Sequence, residues 1–329
     1  MITNTNKNHF IFGPIKSRRL GISLGIDLIP KKICSLDCIY CECGKTLTLS
    51  IKREEFYPLN AVLDEIDKFF STNSADFALE IDYITFSGQG EPTLYSKMGA
   101  VIEYLKKNYP QYKLALLTNS TLFYQEDLRK ELLPLDLIVP SYDAASEDVF
   151  KKINRPHPQI TAEIISNGLQ QFRREFKGQV WVEVFIIPGI NDSDEEIKRI
   201  KKDLEKFSPD KIQLNTLDRP GTESFIRPPS MEELTRLKSL FQPFEIEIIN
   251  SKWNKTSFKN ITQNITTELI EDTILNTIRR RPCTLDDLKI TLGVSSNNNN
   301  IESVIKLLLE KKIIGSKIEE RGEFYFLIK

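Results

Sequence analysis

The chain is poor in histidine and methionine: 329 residues carry two histidines, three methionines and five cysteines. With only His9 and His157 available, a histidine-rich metal site has little to be built from. No apolar run approaches the roughly 20 residues that span a bilayer. The polar stretch Met1 to Asn8 lacks the apolar core of a signal peptide. The expectation is a cytoplasmic protein with no membrane partner. An excess of one charge is lacking too. Lys and Arg number 45 against 46 Asp and Glu, for a net charge of -1. Global charge therefore argues neither for nor against nucleic acid, and only local patches bear on it. What is present is an ordinary globular composition, 40% apolar and 9% aromatic, in a length that suits one large domain and one small one.

Four of the five cysteines lie between residues 34 and 43, and Cys283 stands far away. In the cytosol a tight odd group reads as metal binding rather than disulfides. Cys34, Cys38 and Cys41 have the spacing C-x3-C-x2-C. Three thiolates on one short loop can hold three irons of a [4Fe–4S] cluster and leave the fourth iron open to a substrate or cofactor. The competing reading is zinc with Cys43 as fourth ligand. Tyr40 is expected beside the cluster or an adenine, with simple core packing as the alternative. Cys43 is expected to be an inert thiol.

The chain then alternates. A first strand is expected over Leu20 to Ile29, stopped by Pro30, and the cysteine loop follows it. Strands at Ile81 to Phe86, Lys113 to Leu117, Leu135 to Val139, Val180 to Ile187, Lys211 to Asn215 and Phe244 to Ile249 alternate with amphipathic helices. The helix from Ser193 to Phe207 opens on an expected capping box, Ser193-x-x-Glu196. This order implies α/β architecture with a parallel sheet and outer helices. The count fits an open, partial (β/α)6 barrel better than a closed eight-unit one. Ligands then belong at the carboxyl ends of the strands. There stand Gly88-Gln89-Gly90-Glu91-Pro92, Asn119-Ser120, Ser141 and Asp143, Asn191-Asp192, and Asn215 with Arg219. Gly88 and Gly90 would let a ligand approach the backbone, and Glu91 offers a carboxylate to an ammonium group. Arg219 suits a substrate carboxylate or phosphate.

The pair Cys34-x3-Cys38-x2-Cys41 and Gly88-Gln89-Gly90-Glu91-Pro92 resembles the radical S-adenosylmethionine (SAM) superfamily over roughly residues 10 to 250. The longer text Gly13-Pro14-Ile15-Lys16-Ser17-Arg18-Arg19-Leu20-Gly21, with Cys41-Glu42-Cys43-Gly44, resembles an Fe–S oxidoreductase branch similar to the wyosine-forming tRNA enzymes. The resemblance implies a partial (β/α)6 TIM-like barrel, a [4Fe–4S] cluster on Cys34, Cys38 and Cys41, and SAM. It implies reductive cleavage of SAM to a 5′-deoxyadenosyl radical that abstracts hydrogen from a substrate. It also implies a reducing electron donor of the flavodoxin or ferredoxin type. Cofactor contacts are expected from Tyr40, Gly88, Gln89, Gly90, Glu91, Asn119, Ser120, Ser141, Asp143 and Asn191, and substrate contacts from Arg219 and Asn215. The wyosine enzymes carry a second cluster. Here no cysteine precedes Cys34, so neither that cluster nor its pyruvate chemistry is expected.

The expected boundaries are a barrel over 1–250, a basic linker over 251–265 and a winged helix-turn-helix domain over 266–329. The linker interleaves Lys252, Lys255 and Lys259 with Trp253 and Phe258. With Lys16, Arg18, Arg19, Lys31 and Lys32 near the cysteines, it is a candidate phosphate-backbone contact. Residues 266–329 hold ten basic and ten acidic residues, a balance equally suited to a protein or peptide partner. The favoured substrate is tRNA. The alternatives are a peptide or small metabolite, or a winged-helix redox regulator without catalysis.

Overall fold

The computed structural model describes residues 10–30, 32–72, 81–249, 267–292, 299–319 and 322–328. Chain entry is a hairpin in place of the single expected strand. β1 (Ile11–Ser17) and β2 (Gly21–Ile26) pair antiparallel, with an irregular register between Phe12 and Ile15. Gly25 lets the two strands lie close. A Cβ there would sit 2.1 Å from the Phe12 ring, so the bare backbone lets β1 lie flat on β2.

β3 (Ile33–Cys34) and β4 (Thr48–Leu49) form a short parallel pair that closes the cysteine loop. Then come α1 (Leu59–Thr72), β5 (Tyr83–Phe86), α2 (Met98–Asn108), β6 (Lys113–Thr118), α3 (Glu126–Leu132), β7 (Leu137–Pro140), α4 (Glu147–Asn154), α5 (Ala162–Glu175), β8 (Gln179–Phe185), α6 (Asp194–Phe207), β9 (Lys211–Asn215), α7 (Met231–Leu240) and β10 (Ile246–Ile248). The sheet order is β1-β2-β5-β6-β7-β8-β9-β10, parallel from β2 onward. Because β10 and β1 stand at opposite edges, the barrel is open.

Alternation along β6 shows why the sheet is covered on both faces. Leu114 and Leu116 join the main core under the helices. Ala115 and Leu117 turn the other way, with Leu20, Tyr83, Leu137, Val139 and Trp181. Lys211 lies over the Trp181 ring at 4.6 Å. Nearer the carboxyl ends this inner face becomes polar. Ser23 Oγ and Thr85 Oγ1 are 2.7 Å apart, Arg19 pairs with Glu183, and Asn215 Nδ2 donates to Glu183 at 3.0 Å.

α6 starts on Ser193, whose Oγ accepts from Glu196 N at 3.2 Å. The expected box is only half built, because the Glu196 carboxylate accepts from Ala145 N and Ser146 N instead. A complete box caps α7 at Ser230 and Glu233.

The C-terminal residues form α8 (Thr267–Arg280), β11 (Cys283–Thr284), α9 (Leu285–Thr291), α10 (Asn299–Glu310), β12 (Ile314–Glu319) and β13 (Gly322–Leu327), with sheet order β11-β13-β12. Ile270, Ile274, Ile278, Leu288, Ile301 and Leu308 make an apolar cluster of their own. Thr284 and Asp287 cap α9 reciprocally. Cys283 is buried here, away from the other cysteines. α8 and α9 pack against β1. The lysine–aromatic segment with Lys252, Trp253, Lys255, Phe258 and Lys259 lies outside the described residues, as do Lys31 and Arg321. Among the described residues no helix is long and apolar enough to cross a membrane.

Candidate cluster and cofactor site

The cysteine loop is held by backbone bonds to two later segments. Asp37 N donates to Asn154 O at 3.0 Å, Ile39 N to Ile153 O at 3.0 Å and His157 N to Ser35 O at 2.9 Å, so the end of α4 forms one wall. The loop after β9 forms another. Thr222 Oγ1 donates to Ile39 O at 2.8 Å and Glu223 N to the same carbonyl at 3.2 Å. Backbone pairing of this kind fixes where the thiols point before any metal arrives.

Each motif cysteine receives one side-chain N–H donor. Asn119 Nδ2 approaches Cys34 Sγ at 3.5 Å, Asn154 Nδ2 approaches Cys38 Sγ at 3.4 Å, and Lys32 Nζ approaches Cys41 Sγ at 3.1 Å. Burial pushes the Cys34 thiol up to about 12 and the Cys38 thiol up as well. At Cys41 a hydrogen bond from Cys43, together with the Lys32 ammonium, outweighs burial and brings the thiol down to about 6. Cys43 Sγ also donates to Gly88 O at 3.5 Å, which joins the cysteine loop to the glycine loop. Among the described residues no three Cys, His, Asp or Glu side chains converge on one metal ion. The three side-chain N–H donors are of the kind that the sulfurs of an iron–sulfur cluster accept.

The glycine loop follows β5 as expected, but its side of the contact is protein. A Cβ on Gly88 would meet Asp27 Oδ1 at 2.0 Å, and one on Gly90 would meet Ile33 O at 2.1 Å. Both glycines admit protein atoms, the Asp27 side chain after β2 at Gly88 and the cysteine-loop backbone at Gly90. Gln89 is buried and hydrogen-bonds the Asp27 carboxylate through backbone and side chain. Glu91 is buried as well. Its Oε1 accepts from Thr93 N (3.1 Å), Thr93 Oγ1 (2.6 Å) and Thr118 Oγ1 (2.6 Å), and its Oε2 from Asn119 N (2.8 Å). Its carboxylate thus caps the turn and ties the end of β5 to β6.

The other strand-end residues meet in one network. Asn119 also donates to Ser35 Oγ at 2.9 Å and accepts from Thr121. Ser120, with a left-handed φ of 56°, donates to Ser141 O at 3.4 Å. Asp143 is the hub. It accepts from Tyr40 Oη at 2.5 Å, Asn154 Nδ2 at 2.8 Å and Phe185 N at 2.9 Å. Burial raises its carboxyl to about 6, against those hydrogen bonds. Tyr40 stacks flat on Phe185, centroids 3.9 Å apart. Asn119, Ser141, Asp143 and Asn154 line one small crevice between the loops.

Three expected contacts become internal struts. Asn191 accepts from Ile187 N and donates to Asp143 O and Phe185 O, so it braces the end of β8. Asn215 is held by Glu183. Arg219 is buried, pairing with Glu42 at 3.1 Å, Asp218 at 3.3 Å and Asp287 at 3.4 Å, so no substrate acid is needed to neutralise it. Burial alone would raise the Glu42 carboxyl; Arg219 and Arg18 instead hold it down at about 2. The basic segment upstream is likewise turned inward. Arg18 pairs with Glu42 and Asp218, Arg19 with Glu183, and Lys32 is spent on Cys41. That corrects the reading of these three as a phosphate-backbone patch.

The family model described as "Radical SAM superfamily" matches residues 28–200. The chain belongs to the radical SAM superfamily. As a radical SAM protein it takes a [4Fe–4S] cluster and SAM, and Cys34, Cys38 and Cys41 are the residues that fit the cluster. Curated relatives extend the likeness along the chain. A UPF0026 protein of Methanocaldococcus jannaschii is 33% identical over 317 residues, covering 96% of this chain and 95% of that protein. A UPF0026 protein of Helicobacter pylori (strain 26695) is 30% identical over 317 residues, covering 96% of each. A protein of Brachyspira hyodysenteriae named GTPase Obg is 35% identical over 317 residues, but the match spans only 44% of its length. Among solved structures, a radical SAM methyltransferase from Sphaerobacter thermophilus superposes with a TM-score of 0.50 at 16% identity, over 69% of this chain and 65% of that one. Streptococcus suis SuiB bound to S-adenosylmethionine gives a TM-score of 0.51 at 13% identity, over 69% and 50%. These two likenesses concern the radical SAM fold alone.

Asn154 and Lys32 are the site residues that sequence reasoning missed as such. Asn154 ends a helix that carries no motif, and its distance from Cys38 is 116 positions. Lys32 was read as one of a basic run. A lysine two residues before the first ligand was the available signal.

Proposed function

We propose that this radical SAM protein is an enzyme that abstracts hydrogen from a macromolecular substrate, with tRNA the favoured class, in the manner of the wyosine-like branch. This reading takes α8, β11, α9, α10, β12 and β13 as a winged helix-turn-helix module that holds the substrate, a reading that their order supports. When bound, the reduced cluster and SAM supply a 5′-deoxyadenosyl radical. The chain's own residues orient the thiols, close the loops around them and present a polar inner face at Ser23, Thr85, Glu183 and Asn215. The single observation that carries the macromolecular reading is where the C-terminal unit is fastened. Arg280 at the end of α8 pairs with Asp27, and Asp287 of α9 pairs with Arg219, itself on Glu42 beside Cys41. A partner held by that unit lies beside the cofactor loops. Electrons come from a flavodoxin- or ferredoxin-type donor.

A second reading, a peptide substrate, is favoured by one feature. The edge strand β12 and its neighbour β13 expose Ile318 at 82%, Phe326 at 36% and Ile328 follows at 50%. An extended peptide can add to such an edge.

The test is anaerobic reconstitution, addition of dithionite and SAM, and assay for 5′-deoxyadenosine. Cys38→Ala should abolish cleavage and Cys283→Ala should leave it. An intact cluster without cleavage would sink the enzyme reading. Comparing modified nucleosides in tRNA from wild-type and deletion strains then tests the substrate. An unchanged profile moves the assignment to the peptide.

A further inference from the structure

We propose that Lys32 is a positioning residue that sets the reduction potential of the cluster on Cys34, Cys38 and Cys41, with Asn119 and Asn154 as neutral donors to the other two sulfurs. The proposal rests on the radical SAM cofactors and is independent of the substrate.

The three donors come from three separate parts of the fold. Asn119 follows β6, Asn154 ends α4 and Lys32 precedes β3. Each serves a different cysteine. Only Lys32 brings a charge. It is 3% exposed, so its ammonium has left water, and a buried cation needs a compensating anion. Among the described residues no carboxylate pairs with it. Its contact is Cys41 Sγ at 3.1 Å. The counter-charge in the loaded protein would be the cluster with its thiolate ligands, met at Cys41.

The placement is built into the backbone. Lys32 sits at φ 57°, in the left-handed region that a lysine rarely adopts. Its carbonyl accepts from Leu47 N at 2.9 Å and Thr48 N at 3.1 Å. The far side of the cysteine loop thus clamps this residue where an extended backbone would carry its side chain elsewhere.

A one-electron reduction adds one negative charge to the cluster and its thiolates, the electron coming from the external low-potential donor. A fixed cation in a low-dielectric pocket stabilises the more negative state, and hydrogen bonds to the sulfurs act in the same direction. Lys32 makes the cluster easier to reduce. Asn119 and Asn154 contribute less, being neutral.

The experiment is an EPR-monitored redox titration of the full-length, reconstituted protein without SAM, with iron and sulfide counted for each sample. Lys32→Met keeps the length and removes both charge and donor. Its midpoint should fall by at least a tenfold change in the reduction equilibrium, 59 mV for a one-electron couple. Lys32→Arg should restore most of the difference, and Asn154→Leu should shift it in the same direction by less. An unchanged midpoint in Lys32→Met with full cluster content overturns the proposal. Loss of the cluster in Lys32→Met and Lys32→Arg alike also overturns it, because Lys32 would then serve loop folding. SAM cleavage is not read in this titration, so its outcome is separate from that of the enzyme reading.

Discussion

Arg280 Nε lies 3.3 Å from Asp27 Oδ2, and both side chains are nearly excluded from solvent. The arginine belongs to α8 and the aspartate follows β2, so this ion pair joins the C-terminal unit to the barrel at the strand that leads into the cysteine loop. The guanidinium also rests on the Phe12 ring at 4.4 Å. Burial raises the Asp27 carboxyl and Arg280 opposes that rise. Arg280→Met should therefore strand a carboxylate and lower stability by about 3–5 kcal/mol, the range for breaking one side of a buried pair. Adding Asp27→Asn should recover part of the loss. Denaturant unfolding of the single and double variants checks this, and equal stability of Arg280→Met and wild type would refute the role given to the pair.

The two glycines of the loop after β5 should differ in tolerance. At Gly88 the obstructing atoms belong to the Asp27 side chain, so a methyl there would press on the pair with Arg280 and leave the backbone of the cysteine loop in place. At Gly90 the nearest obstruction is the Ile33 carbonyl, part of the backbone that carries Cys34. Gly90→Ala should reduce the iron bound after reconstitution severalfold, with Gly88→Ala nearer to wild type. Iron analysis and the visible absorbance of the cluster decide it. Equal loss in both would assign the effect to the loop as a whole.

Asp143 predicts a pH dependence. Its carboxyl is raised to about 6 by burial, above the ordinary aspartate value near 3.9. A raised acid binds its proton more tightly folded than unfolded, so its contribution to stability grows as pH falls from above 6 towards 4. The limit is about 3 kcal/mol for a shift of this size. Asp27 and Glu91, also raised by burial, act in the same direction. Asp143→Asn should thus flatten the stability curve between pH 7 and pH 5 without abolishing its slope. Unfolding of the apo-protein at a series of pH values measures this, and an unaltered slope would show that Asp143 does not titrate there.

Arg219 stands between Glu42 and Asp287. Arg219→Met should leave Glu42 to Arg18 and Arg281 and free the start of α9 from its ion pair with the barrel. Amide exchange at residues 283–291 should become faster, with a smaller increase in Arg219→Lys, which keeps a charge but loses the planar fork. Unchanged exchange in Arg219→Met would mean that α9 is held by its apolar contacts only.

Much of the barrel was legible in the sequence because period-2 and period-3.6 patterns switch cleanly along it. The strand ends expected to carry polar residues do carry them. Their partners were hidden. Glu91, Asn191, Asn215 and Arg219 look in sequence like ligand-binding groups at a barrel mouth, and each is already engaged by protein donors or acceptors. A polar residue at a strand end must find a partner when buried, and sequence does not say whether that partner is a ligand or another side chain. β1 was missed because Gly13-Pro14 interrupts its pattern, and α4 because it is eight residues long.

What the sequence alone determined is the local part: the C-x3-C-x2-C spacing, a glycine loop after β5, the alternation of strands and helices, and a separate C-terminal apolar pattern. These depend on neighbours within a few positions, where spacing fixes geometry. Only tertiary structure decided which donor serves which sulfur, that Arg18, Arg19 and Lys32 face inward, and that α8 and α9 are pinned beside the cysteine loop. Those contacts join residues 9 to 253 positions apart. They form because a buried charge must meet its opposite wherever the folded chain brings one.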